Sequence, residues 1–178
     1  MKSAIVPALA LLLCGCAGYK LGPGKPHSMQ GVNTIAVPVF KNNTLIPRIE
    51  VLTANSLIRQ FQTDGTYEIA SEANADAIVE GTIVSIERRT ARSLRGNVLA
   101  STEFEMDLKI AYIVTQRATG KVLTQGTATG TTSFFVGNDV QQDQRQAIPL
   151  AAEKAAVQIV SLVSEGWQKS DSDPQQTQ

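Results

Sequence analysis

Two groups of residues in this chain have types and spacings that promise chemistry. The first is Leu13-Cys14-Gly15-Cys16, an apolar residue, a small pair and a cysteine, the pattern after which bacterial prolipoproteins are cut and acylated. On that reading Cys16 becomes the first residue of the mature chain, and its sulfur holds a diacylglycerol rather than a metal or a disulfide, with a further acyl group on its nitrogen. The second group is Arg88, Arg89, Arg92 and Arg95, which fall between Glu87 and Glu103 with no acid among them, a local charge of +4. Guanidinium groups suit phosphates because their planar donors bond two oxygens at once. An ordinary solvated loop accounts for the same four residues equally well.

Each group needs elements to position it. Residues 1–15 fit a signal peptide: Lys2 is the positive n-region, and Ile5 to Leu13 is an apolar run too short to span a bilayer. An ordinary secretory signal is the plain alternative, and Cys14 departs from the usual residue before the glycine. Several acyl chains each bury many methylenes at about 0.8 kcal/mol apiece, so a lipidated Cys16 anchors firmly. Ala17 is not aspartate, which resembles the enteric signal for outer-membrane sorting. Residues 16–31 then read as a lipidated tether, with Pro23, Pro26 and four glycines from Ala17 to Gly31. Residues 32–168 read as one domain, and 169–178, polar with repeated glutamine, as a disordered tail.

Composition narrows the function. Lys plus Arg equals Asp plus Glu at 16 each, so no global charge points to nucleic acid. With Cys14 removed and Cys16 acylated, no thiol remains for a disulfide, and packing must supply stability. The single histidine, His27, sits in the tether without a neighbouring carboxylate and reads as solvated. No Gly-x-Ser-x-Gly, paired metal ligands or phosphate loop appears, so the chain does not read as an enzyme, and no metal or dissociable cofactor is expected.

The domain opens with Thr34 to Phe40, β-branched and strand-like, with Pro38 requiring an edge or a bulge. Pro47 can start a helix whose core stripe is Val51, Ala54, Leu57, Ile58 and Phe61, with Gly65 as its C-terminal cap. Tyr67 to Ile69 is a short extended piece, and Ile78 to Ile86 a strand apolar on both faces. Phe104, Met106, Leu108, Ile110, Tyr112 and Val114 alternate with charged residues, so one face of that strand is buried and one wet. Arg117 to Lys121 turns the chain into a threonine-rich strand, where Gly126 and Gly130 allow close approach of a helix, or of a partner. The adjacent Phe134 and Phe135 are either a core plug or an exposed apolar patch, and the plug is the favoured reading. Asn138 or Asp139 can cap a last helix that Pro149 kinks or restarts, with Ala152, Ala155, Ala156, Ile159, Leu162 and Val163 as its buried stripe. These elements predict an α+β fold: a two-layer sandwich with two helices packed on one face of a mostly antiparallel four-stranded sheet. The other sheet face is left open for a partner protein.

Several short stretches together carry a resemblance. The lipobox followed by Gly18-Tyr19-Lys20-Leu21, then Ile35-Ala36-Val37-Pro38, an arginine-bearing hairpin ending in Glu103-Phe104-Glu105-Met106, and an alanine-rich last helix resemble the LptE family, from about Cys16 to Trp167. The resemblance implies an outer-membrane lipoprotein, lipid-anchored on the periplasmic face, that acts as plug and assembly partner of the LptD β-barrel and binds lipopolysaccharide. It also implies Arg95, within Ser93-Leu94-Arg95-Gly96-Asn97, as the hairpin-tip residue for lipopolysaccharide, with Arg92, Arg88 and Arg89 beside it. The family's second basic position has no clear counterpart near Asn138. Ile35 to Asn42 also resembles the start of outer-membrane lipoprotein activators of peptidoglycan synthases, a second candidate reading.

Overall fold

The computed structural model describes residues 25–92, 103–135 and 140–166. The expected signal peptide, Cys16, Arg95, the candidate caps Asn138 and Asp139, and the expected tail lie outside the described residues. A short 3-10 turn, His27–Met29, precedes β1 (Thr34–Ala36), β2 (Lys41–Asn42), α1 (Ile49–Asp64), β3 (Glu68–Ile69), β4 (Ala77–Arg92), β5 (Glu103–Gln116), β6 (Val122–Phe135) and α2 (Val140–Glu165). The strands form one sheet in the order β3-β1-β4-β5-β6, with β2 continuing β1 alongside β4.

The sheet is thus six-stranded and mixed rather than four-stranded. β1 runs parallel to both β3 and β4, while β4, β5 and β6 form an antiparallel meander. The parallel part follows from chain connectivity: β1 and β3 are neighbours joined through α1, and a helical crossover returns the chain in the same direction. Pro38 explains why the first strand splits. Ala36 aligns with Ile78 and Lys41 with Thr82, so one extra residue sits between β1 and β2 where the proline has no N–H for the ladder. β1 is therefore not an edge, and the bulge is the solution adopted.

Both helices lie on one sheet face. α1 ends as expected at Gly65, whose φ of 73° and N–H bond to the Phe61 carbonyl are those of a left-handed cap. It begins at Ile49 rather than at Pro47, and its buried side is formed by Ile49, Thr53, Ala54, Ser56, Leu57 and Phe61. Val51 is 42% exposed, so the expected stripe is rotated about the helix axis, with Val51 facing out. α2 is unbroken through Pro149. The proline is exposed, so the Arg145 carbonyl that loses its donor can turn to water without cost to the core. The segment 143–165 is long and apolar enough to cross a bilayer by length and composition, yet it serves here as the core helix.

Small residues allow α2 to lie close on β6. Ala151, Ala152, Ala155, Ala156, Ile159 and Val163 are all fully buried, and a Cβ on Gly130 would meet the Ala151 carbonyl oxygen at 1.9 Å and the Ala155 nitrogen at 2.6 Å. Gly130 is thus required by internal packing. Phe61 meets Tyr67 edge-on with ring centroids 6.1 Å apart, and the Tyr67 hydroxyl donates to the Val163 carbonyl at 3.3 Å. Full burial of such side chains is worth about 1.5–3 kcal/mol each. The domain also begins earlier than expected: Met29, assigned to the tether by sequence, is fully buried in the core, while His27 is exposed.

Candidate functional site

The arginine-bearing segment is the outer half of β4, and a β-bulge decides which way its side chains point. Ile83 pairs with Ile110 and Ser85 with Lys109, so Val84 is the inserted residue. Before it, the odd-numbered Ala77, Val79 and Ile83 are buried; after it, Ile86 turns to the core. The parity change places Arg88 on the helix-side face and Arg89 on the open face. The two adjacent arginines therefore do not converge on one point.

Arg88 is exposed and rests over the Phe104 ring, 5.0 Å from its centroid. Phe104 in turn stacks on Phe134 of β6, with centroids 6.0 Å apart and planes inclined by 27°. Phe134 is only half-buried, and Phe135 is 64% exposed. The expected core plug is therefore split by the strand alternation: one phenylalanine supports an aromatic platform and its neighbour points to solvent. No described carboxylate pairs with Arg88, which leaves its planar donors available to an anion while the ring supports the cation.

Arg89 has a different environment. Its guanidinium pairs with Asp107 and, at 3.5 Å, with Glu105, both on β5. Thr131 of β6 donates to the other oxygen of Asp107 at 2.7 Å, which holds that carboxylate between the two neighbouring strands. The run that lacks acids in sequence thus meets acids across the ladder. Glu87, Glu103, Glu105 and Asp107 share the open face with Arg89 and Lys109, so the described part of this face carries four acids against two bases. Arg92 aligns with Glu103 after a second bulge. Alternation along β5 signalled these acids in the sequence; the bulge at Val84 carried no such signal.

The opposite end of the sheet is fastened by Asp76. Its carboxylate accepts the backbone N–H groups of Asn33 at 2.9 Å and Thr34 at 3.0 Å, while Arg117 donates from Nε to the Ala75 carbonyl at 2.7 Å. The two backbone donors, then the Thr34 hydroxyl and the nearby Arg117 charge, hold the Asp76 carboxyl below the usual carboxylate range. This is a structural clamp at the start of β1. Among the described residues no group of three or more His, Cys, Asp or Glu side chains is gathered as a metal site. A recess of about 380 Å³ on α1 is lined by Arg48, Val51, Leu52, Asn55 and Arg59.

The fold has known counterparts. The hypothetical protein CT253 from Chlamydia trachomatis is 14% identical with a TM-score of 0.53, covering 76% of this chain and 97% of that one. A minor lipoprotein from Acinetobacter baumannii is 16% identical with a TM-score of 0.51, covering 76% and 94%. These likenesses concern the fold alone. No curated protein matches the sequence. The LptE family, described as lipopolysaccharide-assembly, matches residues 32–163, from just before β1 to near the end of α2. That match takes in every strand and both helices, and the chain belongs to the LptE family.

Proposed function

We propose that this protein is a lipid-anchored component of the outer membrane that seats within an LptD-like β-barrel, assists its assembly and binds lipopolysaccharide on its passage outward. The family match over residues 32–163 carries this reading. Cys16 bears the diacylglycerol and N-acyl lipid, and the domain acts without catalysing a reaction. The helix-free sheet face suits a partner that surrounds the domain, because it offers polar and apolar residues together: Glu80, Thr82 and Ile113 among them.

Within the arginine group, Arg88 is the described residue best prepared for a lipid A phosphate, since it is exposed and unpaired by acid. Arg89 is held by Asp107 and Glu105 and contributes less. Arg92 and Arg95 are the group's other proposed phosphate contacts. Depletion of the protein in cells tests the function: newly made lipopolysaccharide should fail to reach the surface, and the barrel should accumulate unassembled. Normal surface delivery after depletion would overturn the proposal. The second reading, activation of a peptidoglycan synthase, predicts instead a defect in wall synthesis with lipopolysaccharide delivery intact.

A further inference from the structure

We infer that the free edge of β6 between Thr131 and Phe135 receives an extended segment of the barrel partner, one that carries lysine or arginine at alternate positions. This rests on the proposed barrel partnership. β6 is the last strand of the sheet, and no described strand lies beyond it. Thr129 shows which backbone groups face outward, because its N–H bonds to the Gln158 side chain at 2.7 Å rather than to β5. In an antiparallel pair such groups alternate, so the N–H and C=O of Gln125, Thr127, Thr131, Ser133 and Phe135 also point away from β5.

Exposed edges of soluble sheets are normally blunted by charge, proline, bulges or short length. β6 has 14 residues and contains no Lys, Arg, Asp, Glu or Pro, and from Thr124 onward it pairs with β5 without a bulge. β3, at the other edge, has only two residues. Gln158 guards β6 at Thr129, and beyond it no described strand or side chain bonds to the outward groups of Thr131, Ser133 and Phe135. A long, flat, uncharged edge of this kind is a template for strand addition.

The acidic face supplies the occupant's chemistry. Thr131 draws the Asp107 carboxylate toward β6, so a cation on an added strand has only about one interstrand spacing, ~4.8 Å, to span. Glu105 and Glu103 continue the acidic row toward the hairpin end, opposite Ser133 and Phe135. An acidic strand would meet like charge there, and a second copy of the uncharged β6 would add no cation to Arg89, which answers Asp107 and Glu105 from the β4 side.

A photocrosslinking residue placed at Thr127, Thr131 or Ser133 of the full lipidated chain in cells, with Val157 on the outer side of α2 as comparison, tests the inference. Crosslinks from Thr131 and Ser133 should map by mass spectrometry to one segment of the barrel with alternating basic residues. Ser133→Pro removes only an outward donor, and should lower barrel recovery at least about tenfold while Ser133→Ala leaves it unchanged. Thr131→Asp, which leaves the backbone intact, should lower it about threefold through like-charge repulsion. Barrel recovery with crosslinks from Val157 but none from the edge would overturn the strand addition and leave the proposed function standing. Edge crosslinks to a second copy, or to an acidic segment, would also overturn it. No barrel recovered with the unmodified chain would remove both.

Discussion

Replacing Gly130 by alanine adds one methyl group at the tightest point of the fold. The new Cβ would lie 1.9 Å from the Ala151 carbonyl oxygen and 2.6 Å from the Ala155 nitrogen. Both obstacles are backbone atoms of α2, so no rotamer change relieves them. Restoring an ordinary contact near 3.4 Å requires the helix to move away by about 1.5 Å, which loosens the buried alanine stripe along its length. Overpacking of a tight core typically costs about 1–3 kcal/mol, and a displaced helix belongs at or above the upper end. At roughly 2–4 °C per kcal/mol for a domain of this size, the melting temperature should fall by about 6–12 °C. Thermal unfolding followed by far-ultraviolet circular dichroism measures this. Gly126→Ala is the comparison, because its nearest obstacle is the Tyr112 hydroxyl at 3.0 Å, the far end of a side chain, and its cost should stay near 1 kcal/mol or less. Adding Ala155→Gly should not rescue Gly130→Ala, since the obstructing atoms remain. A Gly130→Ala protein that melts within about 1 °C of the parent would refute the close helix-on-strand packing.

Three further outcomes follow from particular side chains. The folded state lowers the Asp76 pKa, so its contribution is fully present above the ordinary value of 3.8 and is lost as pH falls through the folded value; denaturant titrations between pH 5 and about pH 2 should show Asp76→Asn with a flatter acid limb than the parent. Burial, with a smaller effect from Asp64, pushes the Tyr67 phenol up to about 12, so stability from the neutral phenol persists below pH 10 and is lost as pH rises toward 12; Tyr67→Phe should remove that alkaline loss in the same titration. Arg88→Glu should weaken lipopolysaccharide binding by the purified protein about tenfold or more, whereas Arg89→Glu should change it less, because Asp107 and Glu105 already occupy that guanidinium; equal losses would contradict the division of roles.

Period was the most legible property of the sequence. The alternation from Phe104 to Val114 correctly placed one face of β5 in the core, and Gly65 marked the end of α1. Pro38 announced an interruption, but only the register with β4 shows it to be a bulge in an interior strand. The strand count and the parallel pairing were less legible, because β2 and β3 have two residues each and owe their existence to neighbours rather than to local propensity. Val51 misled because several apolar residues offer overlapping helical stripes, and the position of α2 decides which is buried.

The arginine group illustrates the limit for the site. Composition marks Arg88 and Arg89 as one basic cluster, yet the insertion of Val84 sends them to opposite faces, and acids remote in sequence answer one of them. A bulge depends on pairing with the neighbouring strand and leaves no motif in its own residues. Phe134 and Phe135 divide for the same reason of alternation, one stacked on Phe104 and the other exposed.

The central claim, an acylated chain seated in an outer-membrane barrel, is tested most directly by native mass spectrometry of the complex extracted from membranes in mild detergent. The prediction is a single species holding one barrel and one copy of this chain beginning at an acylated Cys16. An unacylated chain that emerges alone, or bound to an inner-membrane enzyme, would contradict it.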